Sequence, residues 1–343
     1  PPRPPDPAVM AEPLKLLVVS DIHYAGPQEQ TRSGYEGRTC TNPLQRLFLR
    51  LYRDNLWLKD PLGHNHFLDW FFALSGPADL VVANGDYSCD SAFIGLADDA
   101  AFESAEICLE KLRHRFGRRL HETYGDHELG KKSLVGGVGG LRLEAFRRCR
   151  DRLHLKPFWT VRKGAYVIMG ITSTLLAVDA MLPECLPEER AEWRALRDRH
   201  VTAIDQAFRQ LKVGQKVILF CHDPTALPYL AKIASVRSQW GKIEQTVLGH
   251  LHSDFILNTA HRLAGIPPVN FAGVTVRRIT NALRKANCWE PFKVILCPSP
   301  TGIQAFKDGG FLTVDLHPDD PRPLDWKRHP IPWTGPGNDG GND

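Results

Sequence analysis

No apolar run in this chain of 343 residues approaches the ~20 residues that a membrane span needs; stretches such as Leu14–Val19, Val217–Cys221 and Val294–Cys297 are strand-sized. No Cys-x-x-Cys pair occurs. The eight cysteines (Cys40, Cys89, Cys108, Cys149, Cys185, Cys221, Cys288 and Cys297) form no compact framework, which excludes a disulfide-stapled scaffold and fits reduced thiols in a cytosol. Strong charge is lacking too. A net charge of +4 with a pI near 8.6 is far from that of a tail-driven nucleic-acid binder, although anionic small substrates and acidic surfaces remain permitted. The opening PPRPPDPAV has no apolar segment of the kind a secretory signal carries. It reads as a disordered Pro-rich lead-in over 1–12, with Met10 a candidate natural start. The expectation is a cytoplasmic protein, with peripheral contact at a membrane as an alternative.

What is present is a globular composition. With 43% hydrophobic residues the chain can bury a large core. Short β-rich runs alternate with helical patterns, which favours an α/β architecture with its chemistry on loops at strand ends. Strands are expected at about 14–20, 79–84, 119–124, 158–162, 165–171, 216–221, 245–248, 293–297 and 311–316. Helices fit 98–116, 141–153, 187–211 and 228–238. One domain over 13–318 follows, with insertions at about 24–78 and 255–291 and a largely irregular tail over 319–343, whose end, GPGNDGGND, is read as disordered.

The first insertion carries Leu44, Leu47, Phe48, Leu51 and Tyr52 at the spacing of an amphipathic helix, with Arg46, Arg50 and Arg53 on another face. The simpler account packs this stripe on the protein's own core; the alternative is a lid at a membrane surface or over acyl chains. From Phe255 to Trp289 the chain has five Arg or Lys and no Asp or Glu. That segment is either a solvated face or a binder of pyrophosphate or an anionic headgroup.

Five strand ends carry metal-ligand chemistry. VVSDIHY places Asp21 and His23 two apart, on one side of an extended stretch. VVANGDYSCD stops a buried-type strand at Gly-Asp, with Asp86 the candidate. ETYGDHEL offers Asp126 and His127, VILFCHDP ends at His222, and TVLGHLHSD sets His250 and His252 after Gly249. Each alone reads readily as a polar turn or a structural histidine; five in succession do not.

In order, these stretches resemble the calcineurin-like metallophosphoesterase superfamily, whose pattern is D-x-H, G-D, G-N-H-[DE], H and G-H-x-H. The resemblance spans residues 14 to about 317. It implies a four-layer sandwich of two mixed β-sheets flanked by helices. It further implies one metal held by Asp21, His23, Asp86 and His252, and a second by Asp86, Asp126, His222 and His250, with Asp86 bridging. Oxygen and imidazole donors suit divalent Mn, Fe or Zn. Two such ions would polarise a phosphoryl oxygen and activate a bridging hydroxide, while His127 stays off the metals and stabilises or protonates the leaving oxygen.

The chain departs from that pattern at Asp126, where the family has Asn. The carboxylate can still give an oxygen to a metal, but it loses the amide donor. Three ligand carboxylates against the four positive charges of two divalent ions leave +1, where an asparagine would leave +2. Such a site either prefers a less charged diester or pyrophosphate, recruits a nearby Arg or Lys, or holds a trivalent ion. GDYSCD also sets Asp90 one residue later than the usual partner of the motif histidine; Asp90 and Glu128 are both open as partners of His127. Lys131 and Lys132, just after the motif, read as solvated charge, with substrate contact the alternative.

The expected activity is hydrolysis of a phosphodiester, pyrophosphate or phosphomonoester. One more specific alternative is a lipid-linked nucleotide pyrophosphatase, similar to family members that cleave acylated UDP-glucosamine. Another is a non-catalytic scaffold with this fold, such as a retromer subunit. The basic segment lacks the interleaved aromatics of a nucleic-acid track, which argues against a nuclease.

Overall fold

The computed structural model describes residues 12–134, 137–251 and 289–335. Two five-stranded mixed sheets form its centre. The first has the order β10-β9-β1-β2-β3, from β1 (Leu14–Val19), β2 (Leu80–Ala83), β3 (Leu120–Glu122), β9 (Gly310–Leu316) and β10 (Lys327–Pro330). The second has the order β4-β5-β6-β7-β8, from β4 (Phe158–Lys163), β5 (Tyr166–Ile171), β6 (Lys216–Cys221), β7 (Ile243–Leu248) and β8 (Val294–Leu296). In the first sheet β1, β2 and β3 run parallel, β9 pairs antiparallel with β1 and β10 antiparallel with β9; in the second only β4 is antiparallel.

The two-residue period of a strand sorts the layers. Leu16 and Val18 of β1, Leu80 and Val82 of β2, and Leu312, Val314 and Leu316 of β9 meet Ile168 of β5, Ile218 and Phe220 of β6, and Val247 of β7 in one buried cluster between the sheets. The alternate residues face outward under helices. Leu17, Val19, Val81 and Ala83 pack with Leu68 and Phe71 and with Ala105, Leu109 and Leu112. Val167, Met169, Val217 and Leu219 pack with Ile204 and Phe208 and with Leu227 and Leu230. Strands buried on both faces read as unbroken apolar runs, as these do.

In chain order the helices are α1 (Pro27–Gln30), α2 (Tyr35–Arg38), α3 (Pro43–Asn55), α4 (His66–Leu74), α5 (Asp99–Phe116), α6 (Leu143–Asp151), α7 (Ser173–Leu176), α8 (Val178–Met181), α9 (Arg190–Arg209), α10 (Leu227–Leu230) and α11 (Ala234–Ser238). Asn42 and Asp98 cap α3 and α5 by accepting from the Leu44 and Ala101 amides. The segment read as a helix over 228–238 is two short ones, because Lys232 and Ile233 interrupt it.

Two elements differ from the sequence expectation. The apolar stripe of α3 does not pack on the core: Leu44, Leu47, Phe48 and Leu51 are exposed, Phe48 at 62%. The stretch after 318 supplies edge strand β10, and Ile331 and Trp333 behind it pack on the core around α4. No helix among the described residues is long and apolar enough to cross a membrane.

Candidate metal centre

The carboxyl ends of β1, β2, β3, β6 and β7 converge, and each delivers its polar residues within a few positions of the last strand residue. The turns are tight enough to force left-handed backbone on side-chain-bearing residues. Asp21, His23, Asp86 and His250 have φ of 56°, 50°, 60° and 63°. Such conformations cost about 1–3 kcal/mol each and persist only where surrounding contacts over-determine them. Those contacts are present. The amides of Asp21 and His23 donate to the carbonyls of Gly85 and Asp86 at 3.1 and 3.0 Å, and the His250 amide donates to the Asp21 carboxylate at 2.9 Å. The β2 and β3 loops touch at two glycines: a Cβ on Gly125 would run into the Asp86 carboxylate, and one on Gly85 into the Gly125 backbone.

Glu128 ties the same loops together. Its Oε2 accepts from the Asp86 and Gly125 amides at 2.9 and 2.6 Å, and its Oε1 accepts from the Tyr87 amide at 2.8 Å. Asp90 accepts from the Gly95 amide at 2.8 Å. Neither is the partner of His127, whose Nδ1 lies 2.9 Å from the Cys89 carbonyl.

That contact defines the tautomer. A carbonyl only accepts, so His127 Nδ1 carries the hydrogen and Nε2 turns its lone pair to the site. His222 Nδ1 similarly meets the Asn84 carbonyl at 2.6 Å, and His23 Nδ1 the Ser88 carbonyl at 3.3 Å. Histidines that ligate metals are commonly oriented through their other ring nitrogen in this way. All three Nε2 atoms converge on Asp86 Oδ2, at 3.9 Å from His23, 3.8 Å from His127 and 3.1 Å from His222. Asp86 Oδ2 and His222 Nε2 are buried without a hydrogen-bond partner of good geometry. A buried carboxylate oxygen facing three imidazole Nε2 atoms is costly unless a proton or a metal cation lies among them.

Two ligand-bearing groups result, each with its donor atoms within 4.8 Å of one another: Asp86, Asp126, His222 and His250, and His23, Asp86 and His127. Asp86 belongs to both. Asp21 lies beside them, with Oδ1 3.9 Å from His23 Nε2 and 3.8 Å from His222 Nε2. Burial opposes ionisation of Asp86, as does Asp126, but His222 and His127 overcome this and hold its carboxyl well below the ordinary range. Burial likewise works against the charge on Asp126, which His250 and Lys131 hold well below that range. The His222 imidazole is disfavoured as a cation by burial, yet Asp86 and Asp21 raise its pKa well above the ordinary value. Burial, helped by the Lys131 charge, pushes His127 well down, so this ring is neutral near pH 7.

Over the group lies a cavity of about 190 Å³, whose walls include His23, His127, His250, Lys131, Tyr52 and Trp57. A second cavity of about 670 Å³ shares Tyr35, Glu36, Arg53 and Pro61 with it and extends along α3. Arg53 and Glu36 form an ion pair at that shared wall.

Of the residues anticipated as metal ligands, Asp21, His23, Asp86, Asp126, His222 and His250 come together, with His127 among them; His252 lies outside the described residues, as does most of the 255–291 insertion. His127, expected to stand off the metals, shares a ligand-bearing group with His23. Lys131 differs from its reading as solvated charge: its Nζ lies 2.9 Å from Asp126 Oδ2. Glu128 as a loop clamp was not anticipated, because its partners are backbone amides, which leave no mark in a sequence.

No protein-family model matches the chain, and no curated protein matches it. Among solved structures the chain is similar to a phosphopantetheinyl hydrolase from Mycobacterium tuberculosis, with 17% identity, coverage of 71% of this chain and 84% of that one, and a TM-score of 0.33. A likeness of that size carries no chemistry across, which has to come from the residues themselves.

Proposed function

We propose that this chain is a metal-dependent phosphoesterase of the calcineurin-like type, cleaving a phosphodiester, pyrophosphate or phosphomonoester. The observation that supports this most is Asp86 Oδ2, buried, without a hydrogen-bond partner and faced by three imidazole Nε2 atoms. The residues fit a pair of divalent ions: Asp86, Asp126, His222 and His250 would hold one, and Asp86, with His23 and Asp21, the other. Imidazole and carboxylate donors with no thiolate suit Mn, Fe or Zn. When bound, such ions supply Lewis acidity toward a phosphoryl oxygen and a nucleophile deprotonated at neutral pH.

The chain's own residues do the rest. Glu128 holds the Asp86 and Gly125 loops at fixed separation through three backbone amides. His127, its Nδ1–H fixed on Cys89, presents an unprotonated Nε2 to the cavity, which would first take up a proton there and then pass it to the leaving oxygen. Hydrolysis of bis(p-nitrophenyl) phosphate by manganese-reconstituted protein tests this reading. Turnover that disappears in His127→Ala supports it. Absence of turnover, together with manganese binding well below two ions per chain, favours a binding scaffold.

The exposed face of α3 favours a narrower second reading, a lipid-linked substrate such as an acylated nucleotide pyrophosphate met at a membrane surface. Phe48, Tyr52 and Trp57 form a row, with ring centroids 6.4 and 5.9 Å apart, leading from that face to the cavity wall. Flotation with anionic liposomes supports this reading; protein that stays at the bottom of the gradient removes it.

A further inference from the structure

The small cavity over the ligand groups, about 190 Å³, shares a wall of Tyr35, Glu36, Arg53 and Pro61 with the larger one of about 670 Å³. That wall lies on the side of His127. Cys89, whose carbonyl fixes His127 Nδ1, has its Sγ 3.5 Å from the Pro61 carbonyl, and the Phe93 ring beside it stands 5.5 Å from that of Tyr35. A substrate with its phosphorus over the ligand groups and its leaving oxygen toward His127 therefore points its leaving group at the larger cavity.

Arg46, Leu49, Arg50 and Arg53, at i, i+3, i+4 and i+7 of α3, line that cavity on one helix face. Its walls carry four Arg or Lys against three Asp or Glu. Arg53 pairs with Glu36, and Arg50 with Asp54 at 3.5 Å. Arg46 spends Nη2 on the Cys40 carbonyl at 2.8 Å, and among the described residues neither it nor Lys59 has a carboxylate partner. The cavity thus has positive charge to spare. Arg53 stands at its junction with the small cavity, its side chain keeping 17% of its surface. Of the five N–H bonds of a guanidinium, the contact with Glu36 uses one, at Nη2. Nε is buried without a partner, and Nη1 has none among the described residues. Donors left unused in a largely buried guanidinium are costly, and at the junction of two cavities a ligand is the group that uses them.

We propose that the larger cavity receives the leaving group and that Arg53 binds an oxyanion carried by it, so that the substrate is a phosphoester whose leaving group bears its own phosphate or carboxylate. Hydrolysis breaks the bond from phosphorus to the leaving oxygen, which keeps the electron pair and takes a proton, while a water oxygen takes its place on phosphorus. Arg53 is then the residue that selects the substrate. This rests on the reading of the site as a phosphoesterase.

The experiment uses the full chain reconstituted with manganese and two diesters that differ by one charge on the leaving group, methyl p-nitrophenyl phosphate and methyl m-carboxy-p-nitrophenyl phosphate. The ratio of their kcat/KM values, carboxylated over plain, is expected to fall about tenfold in Arg53→Met, the scale of one charge-assisted hydrogen bond, and to be largely kept in Arg53→Lys. A residue that only supports the fold lowers both esters together and leaves the ratio unmoved. The released m-carboxy-p-nitrophenol, titrated alone, is expected to bind wild type and to bind Gly37→Trp about tenfold more weakly. Gly37 lines the larger cavity, and a Cβ there meets nothing within 4 Å, so the bulk fills the cavity with Arg53 in place. A ratio unmoved by Arg53→Met, or a phenol that binds Gly37→Trp as tightly as wild type, overturns the proposal.

The same samples separate this from the parent reading. Binding of the phenol that weakens in Arg53→Met and Gly37→Trp, in a protein that turns over neither ester, upholds the cavity assignment and removes the esterase. Turnover of both esters at a ratio independent of Arg53 does the reverse. A wild-type protein that neither turns over nor binds the phenol overturns both.

Discussion

Asp86 Oδ2 lies 3.1 Å from His222 Nε2, and neither atom has a hydrogen-bond partner of good geometry. The strands that end at these residues belong to different sheets, β2 to the first and β6 to the second. The contact therefore closes the sandwich at one end. Two sheets brought together by an apolar interior present a carboxylate and an imidazole to each other at the rim, in a geometry that a shared cation satisfies better than a direct hydrogen bond.

Metal is expected to stabilise the fold through this contact. Manganese at 100 times its dissociation constant adds ~2.7 kcal/mol to the stability of a protein that binds it only when folded. In thermal melts, wild type shows a rise with manganese, Asp86→Ala shows none because Asp86 serves both ligand groups, and His250→Ala keeps a reduced rise. An equal rise in Asp86→Ala contradicts the shared role.

Glu128→Gln removes the loop clamp. A glutamine has one acceptor oxygen and sets its NH₂ against a backbone N–H, so at least one buried amide loses its partner, at about 1–3 kcal/mol. Lower melting temperature and weaker manganese binding are expected together. A loss of stability with manganese affinity unchanged separates the clamp from the metal site.

Acid stability has a contribution from outside the set of candidate ligands. Burial pushes the His200 imidazole of α9 down to about 3 from its ordinary 6.5, where its Nε2 accepts from the Thr172 amide at 3.2 Å. Below pH 6.5 the unfolded chain takes up this proton and the folded chain does not. Stability is thus complete above pH 6.5 and is lost as pH falls toward about 3, at up to ~1.4 kcal/mol per pH unit. Urea unfolding of His200→Gln between pH 6.5 and 4 is expected to show a shallower fall than wild type; parallel curves contradict the assignment.

The outward face of α3 is separable from the fold. Phe48 is 62% exposed, so Phe48→Glu is expected to change stability by less than about 0.5 kcal/mol. The same variant is expected to lose flotation with anionic liposomes, where wild type floats. Loss of folding in Phe48→Glu shows instead that the stripe is covered.

The strands and the Asp and His residues that gather at their ends were legible because burial on both faces leaves unbroken apolar runs, and a run that stops at Gly-Asp or Cys-His marks a loop. Edge strand β10 was not: KRHP is largely exposed and pairs on one side only, so it carries no apolar signal. The α3 stripe has the right period, but period does not say whether an apolar face turns inward. Lys131 looked like surface charge because its partner, five residues back, points to it only after the Asp126 turn is formed. The tautomers of His23, His127 and His222 depend on carbonyls of Ser88, Cys89 and Asn84, whose identity as residues is immaterial to the contact.

The most direct measurement of the central claim is manganese bound per chain after reconstitution, by plasma emission, in wild type and in Asp86→Ala. Two ions per chain in wild type and a loss of both in the variant is the result expected of a centre that Asp86 bridges. Fewer than one ion per chain in wild type, or an undiminished count in Asp86→Ala, contradicts it.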